Sequence, residues 1–197
     1  MKRTSLLLLL AFATTLFMSS CKKETTLATA AAEKSPALTA AATGNSIAAS
    51  LASLPVGQRS GPYRIVNEQS GKVVEVESSQ INNNGGKVQQ WEYLNTDNQK
   101  WILTALGNDL YLITNVASGK ALEAQASTVF NNGGKVQQWS WLQYGNQQWK
   151  ISGKAFINAS SGKVLDLSST TIYVNGGIIQ VWDWVNGPNQ HWTLQNP

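Results

Sequence analysis

Cysteine and histidine are nearly absent from this chain: Cys21 and His191 are the only examples among 197 residues. A lone cysteine cannot close an intrachain disulfide, so no disulfide framework is available. One cysteine and one histidine cannot build a metal cluster, and a Cys–His nucleophile pair would need Cys21, which lies in the N-terminal targeting segment; no metal or cofactor is expected. Charge is scarce too, and the formal net charge of +4 sits at one end. Lys2, Arg3, Lys22, Lys23, Lys34 and Arg59 precede residue 61, as do Glu24 and Glu33, leaving nine basic and nine acidic residues beyond it. That neutral remainder offers no basic face to phosphates, so a nucleic-acid partner gains no support. Long apolar runs and helical periodicity are also missing. The longest apolar stretch, Leu6 to Leu16, is shorter than the ~20 residues that span a bilayer.

What the chain has is repetition. Three segments carry the same text, from Ser70 to Trp101, Ser118 to Trp149 and Ser161 to Trp192. Gly71, Gly119 and Gly162 each lie 14 residues before Gly85, Gly133 and Gly176, and Trp91, Trp139 and Trp182 each lie 10 before Trp101, Trp149 and Trp192. The copies start 48 and then 43 residues apart, so only the joins vary. A fixed period of this size is the unit of an architecture.

The ends read differently. Lys2-Arg3, the apolar stretch and Ser19-Ser20 before Cys21 make residues 1–20 a cleaved signal peptide. The cysteine at the end of this small-residue site resembles a bacterial lipobox, which implies lipidation of Cys21 and a membrane anchor. Lys22 in place of Asp after it points to the outer membrane or cell surface. The alternative is a soluble exported protein with a free thiol. Residues 21–60 are rich in Ala, Ser and Thr and poor in aromatics. They read as a flexible linker reaching about 35 Å.

Each copy divides into four short β-rich runs, in the first copy Tyr63 to Asn67, Val73 to Glu77, Lys87 to Tyr93 and Lys100 to Leu106. Ser-Gly-Lys and Asn-Gly-Gly turns separate them. Twelve strands in three four-stranded units predict an all-β fold over 61–197, with repeats at about 61–106, 107–153 and 154–197. Propellers typically need at least four such units, so pseudo-threefold closure into a β-trefoil fits better.

The Gln-x-Trp motif ends each unit, as Gln99-Lys100-Trp101, Gln147-Gln148-Trp149 and Gln190-His191-Trp192. With the Gly-Lys-x-(Leu/Val)-(Asp/Glu) and Val-Gln-x-Trp runs before it, the region from about Gly61 to Gln195 resembles the ricin B-type lectins, carbohydrate-binding β-trefoils. The resemblance implies a site in each copy made of an acid, an amide, an aromatic ring and an Asn. The first comprises Glu75, Gln89, Trp91 and Asn98, and the second Glu123, Gln137, Trp139 and Asn146. The third comprises Asp166, Gln180, Trp182 and Asn189. The family's usual acid is Asp, so the third site is expected to bind best, and Glu75 and Glu123 are either ligand acceptors or ordinary solvated carboxylates.

The residues themselves suit sugar chemistry, since an aromatic face covers the apolar side of a pyranose and planar polar groups take its hydroxyls. Strand alternation puts Gln89, Trp91 and Tyr93 on one face and Val88 on the other. Trp141 and Trp184 share Tyr93's position, either flanking the platform or lining the hairpin cap. Trp101, Trp149 and Trp192 sit among apolar neighbours and are expected in the core, while Gln99, Gln147 and Gln190 are expected to bridge turn backbone. Glu75, Glu123 and Asp166 lie in different units and cannot converge on one glycosidic bond. The expectation is a monomeric, non-catalytic, membrane-anchored lectin for neutral glycan. The alternatives are a protein-interaction trefoil or an accessory module of a separate polysaccharide-degrading enzyme.

Overall fold

The computed structural model describes Ile47 and residues 49–197. The expected signal peptide, Cys21 and most of the expected linker lie outside the described residues. Twelve strands follow one another: β1 (Arg59–Asn67), β2 (Val73–Val76), β3 (Gly86–Trp91), β4 (Trp101–Gly107), β5 (Leu110–Asn115), β6 (Ala121–Ala124), β7 (Gly134–Trp139), β8 (Gln148–Ser152), β9 (Ala155–Asn158), β10 (Val164–Leu167), β11 (Gly177–Trp182) and β12 (Trp192–Gln195). All pairings are antiparallel, and β1 closes on β12 with Ile65 opposite Leu194. Strand β1 also pairs β4, β4 pairs β5, β5 pairs β8 and β8 pairs β9. The hairpins β2–β3, β6–β7 and β10–β11 meet in a ring in which β3 pairs β7, β7 pairs β11 and β11 pairs β3. That threefold ring is the β-trefoil expected from the repeats. The copies join at tight hairpins, where Gly107, Asn108, Asp109 and Gly153 adopt the left-handed backbone such turns need.

The core gathers the apolar alternates of the strands. Trp101, Trp149 and Trp192 are fully buried beside Ile65, Leu103, Ile113 and Phe156. Each indole Nε1 donates to a strand carbonyl, of Val74, Leu122 and Leu165 respectively, at 2.9 Å. A buried Trp without such an acceptor would lose a hydrogen bond to water and regain none.

Three asparagines lock the copies together, and the motif reading did not single them out. Asn67, Asn115 and Asn158 are buried. Their Nδ2 atoms donate to the carbonyls of Asn189, Asn98 and Asn146 in the preceding copy around the axis, at 2.8–3.0 Å. Their Oδ1 atoms accept from the turn that follows, such as Gln69 N. Each lies four residues before the Gly of Ser-Gly-Lys, a constant spacing that was available as a signal.

One expectation needs correction. The flexible segment does not run to residue 60. A short helical segment over 49–52 puts Leu51, with Ile47, into the hydrophobic core. Gly57 N and Gln58 O then bond Ala105 O and Ala105 N, and β1 begins at Arg59, opposite Thr104. Two apolar side chains suffice to dock this stretch, too few to show a period in the sequence.

Candidate functional site

The hairpin register builds the site. Glu75 pairs with Gln89, Glu123 with Gln137 and Asp166 with Gln180, and paired residues project side by side from one sheet face. Gln89 Nε2 donates to Glu75 Oε1 at 2.9 Å, Gln137 Nε2 to Glu123 Oε1 at 2.9 Å, and Gln180 Nε2 to Asp166 Oδ1 at 2.8 Å. The second carboxylate oxygen takes the Nε2 of the Gln-x-Trp glutamine, from Gln99, Gln147 and Gln190, at 2.8–3.0 Å. Those glutamines also do what was expected of them. Gln99 Nε2 donates to Glu92 O while its Oε1 accepts from Leu94 N, both at 2.7 Å, and the other copies repeat this bridge.

The asparagines differ among copies. Asn189 Nδ2 reaches Asp166 Oδ2 at 2.8 Å, Asn98 Nδ2 lies 3.4 Å from Glu75 Oε2, and Asn146 bonds Ala124 O instead. All three anchor the carbonyl at the end of their own second strand, through Val76, Ala124 and Leu167. Glu adds a methylene relative to Asp and brings its head closer to the Gln-x-Trp amide than to the Asn. Asp166 is thus held by three amides, Glu75 by two close and one long, and Glu123 by two.

This overturns the reading of Glu75 and Glu123 as ordinary solvated carboxylates. All three acids are buried, Asp166 to 4% exposure, because the 3-10 turns at Asp97–Gln99, Gly145–Gln147 and Pro188–Gln190 roof them. Desolvation raises the Asp166 pKa above the usual carboxylate value, opposed by the hydrogen bonds from Gln180, Gln190 and Asn189. A carboxylate has about four acceptor positions, so Asp166 keeps one free, on Oδ1.

The aromatic platform divides as the sequence suggested. Trp91 and Trp139 are half-buried and Trp182 is 37% exposed, in contrast to the sealed Trp101, Trp149 and Trp192. Beside them Leu94, Leu142 and Val185 stand exposed. Tyr93 carries the Arg64 guanidinium 4.7 Å from its ring centre, and Trp184 packs against His191 at 5.6 Å. In the first copy, Glu75, Gln89, Trp91, Leu94 and Asn98 line an open cleft of about 390 Å³ together with Glu77, Ser78, Ser79 and Thr96. No group of three or more His, Cys, Asp or Glu side chains able to hold a metal occurs among the described residues.

Strand alternation alone missed one feature. Gln90 and Gln138 point the opposite way from Gln89 and Gln137 and are fully buried. Gln90 Nε2 reaches the carbonyls of Ile172 and Val174, and Gln138 Nε2 those of Ile81 and Asn83, at 2.7–3.1 Å. The third copy has Val181 there, so the repeat signal is broken and no common role was visible. The two turns so held, and the second copy's turn that no such amide holds, also form the outer wall of the sites. A Cβ on Gly176 would lie 3.6 Å from Gln89 Oε1 and 3.8 Å from the Trp91 ring, and Gly85 and Gly133 sit likewise over Trp139 and Trp182.

Comparison with known proteins agrees with this geometry. A family model described as a ricin-type β-trefoil lectin domain-like matches residues 53–139 and 145–197. Among solved structures, the designed threefold-symmetric protein ThreeFoil is 31% identical, with TM-score 0.65, over 70% of this chain and 100% of its own. An exo-β-1,3-galactanase from Clostridium thermocellum, 1,3Gal43A, is 30% identical with TM-score 0.65, over 73% of this chain but 31% of the enzyme. A Macrolepiota procera ricin B-like lectin, solved in complex with lactose, shares the fold at 21% identity and TM-score 0.57, over 73% of this chain and 99% of its own. No match was found among curated proteins. With three acid–amide–tryptophan sites in register on a closed trefoil, and a family match across most of its length, the chain belongs to the ricin-type β-trefoil lectin-like domain family.

Proposed function

We propose that this protein is a non-catalytic carbohydrate-binding lectin, exported and held at a bacterial membrane by a lipid on Cys21, and that up to three shallow clefts bind glycan. The observation that carries the reading is the threefold recurrence of one constellation. In each copy a buried carboxylate is fixed by two amides beside a solvent-facing tryptophan. The amide clamp removes rotamer freedom from the acid, so a sugar hydroxyl meets an acceptor already in place. The tryptophan face covers the apolar side of the ring. Fixing Glu75 and Glu123 with amide donors suits acceptance of hydrogen bonds and not delivery of a proton, which favours binding over hydrolysis. The lactose complex of the Macrolepiota lectin is consistent with sugar recognition on this fold.

A single shallow cleft buries little area, so each site is expected near millimolar affinity. A monomer with three sites would then gain by avidity on a polymer. A glycan array on the purified domain, followed by calorimetry, tests the reading. Binding that survives combined Trp91→Ala, Trp139→Ala and Trp182→Ala would refute it. For the anchor, wild type should partition into detergent and Cys21→Ser into the soluble exported fraction. A wild type wholly soluble in the medium would exclude lipidation. A second reading, an accessory module for a polysaccharide-degrading enzyme, is favoured by the galactanase match, in which the likeness covers 31% of a larger enzyme. The two differ in partner and share the same site chemistry.

A further inference from the structure

The first cleft differs from its two counterparts in charge. Glu75 and Glu77 both line it, and no basic residue does. Neither carboxylate has an ion-pair partner among the described residues. Glu77 accepts only from Gln80 Nε2, at 2.9 Å on Oε2, leaving Oε1 free. The equivalent of Glu77 is Gln125 in the second copy and Ser168 in the third. The flanking acids follow the same trend. Glu92 and Asp97 stand where the second copy has Ser140 and Gly145 and the third has Asp183 and Pro188. Asp183 is tied to Lys163 at 2.6 Å and Asp97 to Lys100 at 3.0 Å. The nearby lysines of the first copy are committed elsewhere, Lys72 to Asn175 Oδ1 at 2.9 Å and Lys87 towards Gly176 O at 3.5 Å.

A second observation concerns hydrogen-bond polarity. Gln89 is 4% exposed. Its Nε2 donates to Glu75, while its Oε1 accepts no hydrogen bond among the described residues, and Gln89 lines the same cleft. Asn98 Nδ2 donates to Val76 O at 2.8 Å and lies 3.4 Å from both Glu75 Oε2 and Ser78 Oγ. Acceptor oxygens with capacity to spare therefore gather on Glu75, Glu77 and Gln89, and two of these three groups are carboxylates. A neutral hydroxyl supplies one donor, whereas an ammonium supplies three donors and a positive charge.

From this we propose that the first cleft selects a cationic amino sugar, a hexose with a free protonated amine stacked on Trp91 and directed at Glu77 and Glu75, while the other two clefts take neutral sugar. The proposal rests on the reading of the clefts as sugar sites. At the rim of an open cleft the attraction is screened, so the amine should gain roughly three- to fivefold over a hydroxyl.

The test uses the full chain carrying Trp139→Ala and Trp182→Ala, which leaves the first cleft intact. Matched pairs are titrated at pH 6 and low salt: galactosamine with galactose, glucosamine with glucose, mannosamine with mannose. In the pair whose epimer fits, the amine should bind three- to fivefold more tightly. High salt and Glu77→Gln should both pull that ratio towards one. A pair that binds with no amine preference overturns this proposal and leaves the sugar-site reading standing. A preference unchanged by Glu77→Gln, or competition by Nα-acetyl-lysine amide as strong as by the amino sugar, also overturns it. Binding of neither member of any pair overturns this proposal and removes the first cleft as a site for these sugars, while the other two clefts stay under the glycan-array test.

Discussion

Removing the carboxylate of the third site should cost the fold as well as the ligand. Asp166→Ala leaves three amide groups without their shared acceptor: Gln180 Nε2, Gln190 Nε2 and Asn189 Nδ2. Gln190 and Asn189 keep their bonds to the carbonyls of Asp183 and Leu167, so each loses one of two. A buried donor left unpaired costs about 1–3 kcal/mol. Water entering the vacated space restores part of that, and relief of carboxylate desolvation restores more. The net loss should be about 2–4 kcal/mol. The sign of its pH dependence follows from the raised pKa of Asp166. Between the ordinary carboxylate value of 3.8 and the raised one, the folded state holds more protons than the unfolded. The stability Asp166 contributes is therefore greatest at the acid end and declines as pH rises through its folded pKa. Denaturant unfolding of both proteins at pH 4 and pH 7 measures this. The gap between wild type and Asp166→Ala should be wider at pH 4. A gap that widens towards pH 7, or a variant as stable as wild type, would refute the account of the acid as a buried hub.

Three further outcomes are expected. Trp192→Ala should destabilise by about 3–5 kcal/mol by opening a core cavity, whereas Trp182→Ala should barely move the melting temperature yet abolish binding by the third cleft; equal stability losses would place Trp182 in the core. Val181→Gln should restore the amide seen at Gln90 and Gln138 and gain about 1 kcal/mol from bonds to the second copy's turn carbonyls, and a lowered melting temperature would show that the space does not admit it. Gly133→Ala, at φ +82° with its Cβ 3.7 Å from the Trp182 ring, should cost about 1–2 kcal/mol and weaken the third cleft while sparing the first, as site-by-site titration would show.

The fold was legible because its signals are local and repeated. Strand lengths, turn glycines and the interval from Trp91 to Trp101 recur in every copy, and three in-register copies permit few closures. The sealed tryptophans were legible for the same reason, since Ile102, Leu103 and Ile151 surround them in sequence. Burial of the acids was not. Alternation marks Glu75 as outward-facing, and so it is, but the roof over it comes from Gln99, 24 residues on. A strand pattern records which face a residue takes and carries nothing about what later covers that face. Gln90 and Gln138 escaped for another reason, because each Nε2 donates to backbone carbonyls of a different repeat, which leave no compositional trace.

Those inter-repeat contacts tie the candidate sites to the closure of the fold. Gly176, on the third copy's turn, stands against Gln89 and Trp91 of the first site, Gly85 against the second and Gly133 against the third. Each turn is held in place by the neighbour it serves. Asn175 Oδ1 accepts from Glu92 N at 3.0 Å, Asn84 Oδ1 from Ser140 N at 2.9 Å, and Asn132 Oδ1 from Asp183 N at 2.9 Å. A single repeat thus contains an acid, its amides and a tryptophan but lacks the outer wall beside them, and its Asn67-type lock has nothing to grip. A substitution in any one turn is therefore expected to act on two repeats at once, its own and the one whose candidate site it walls.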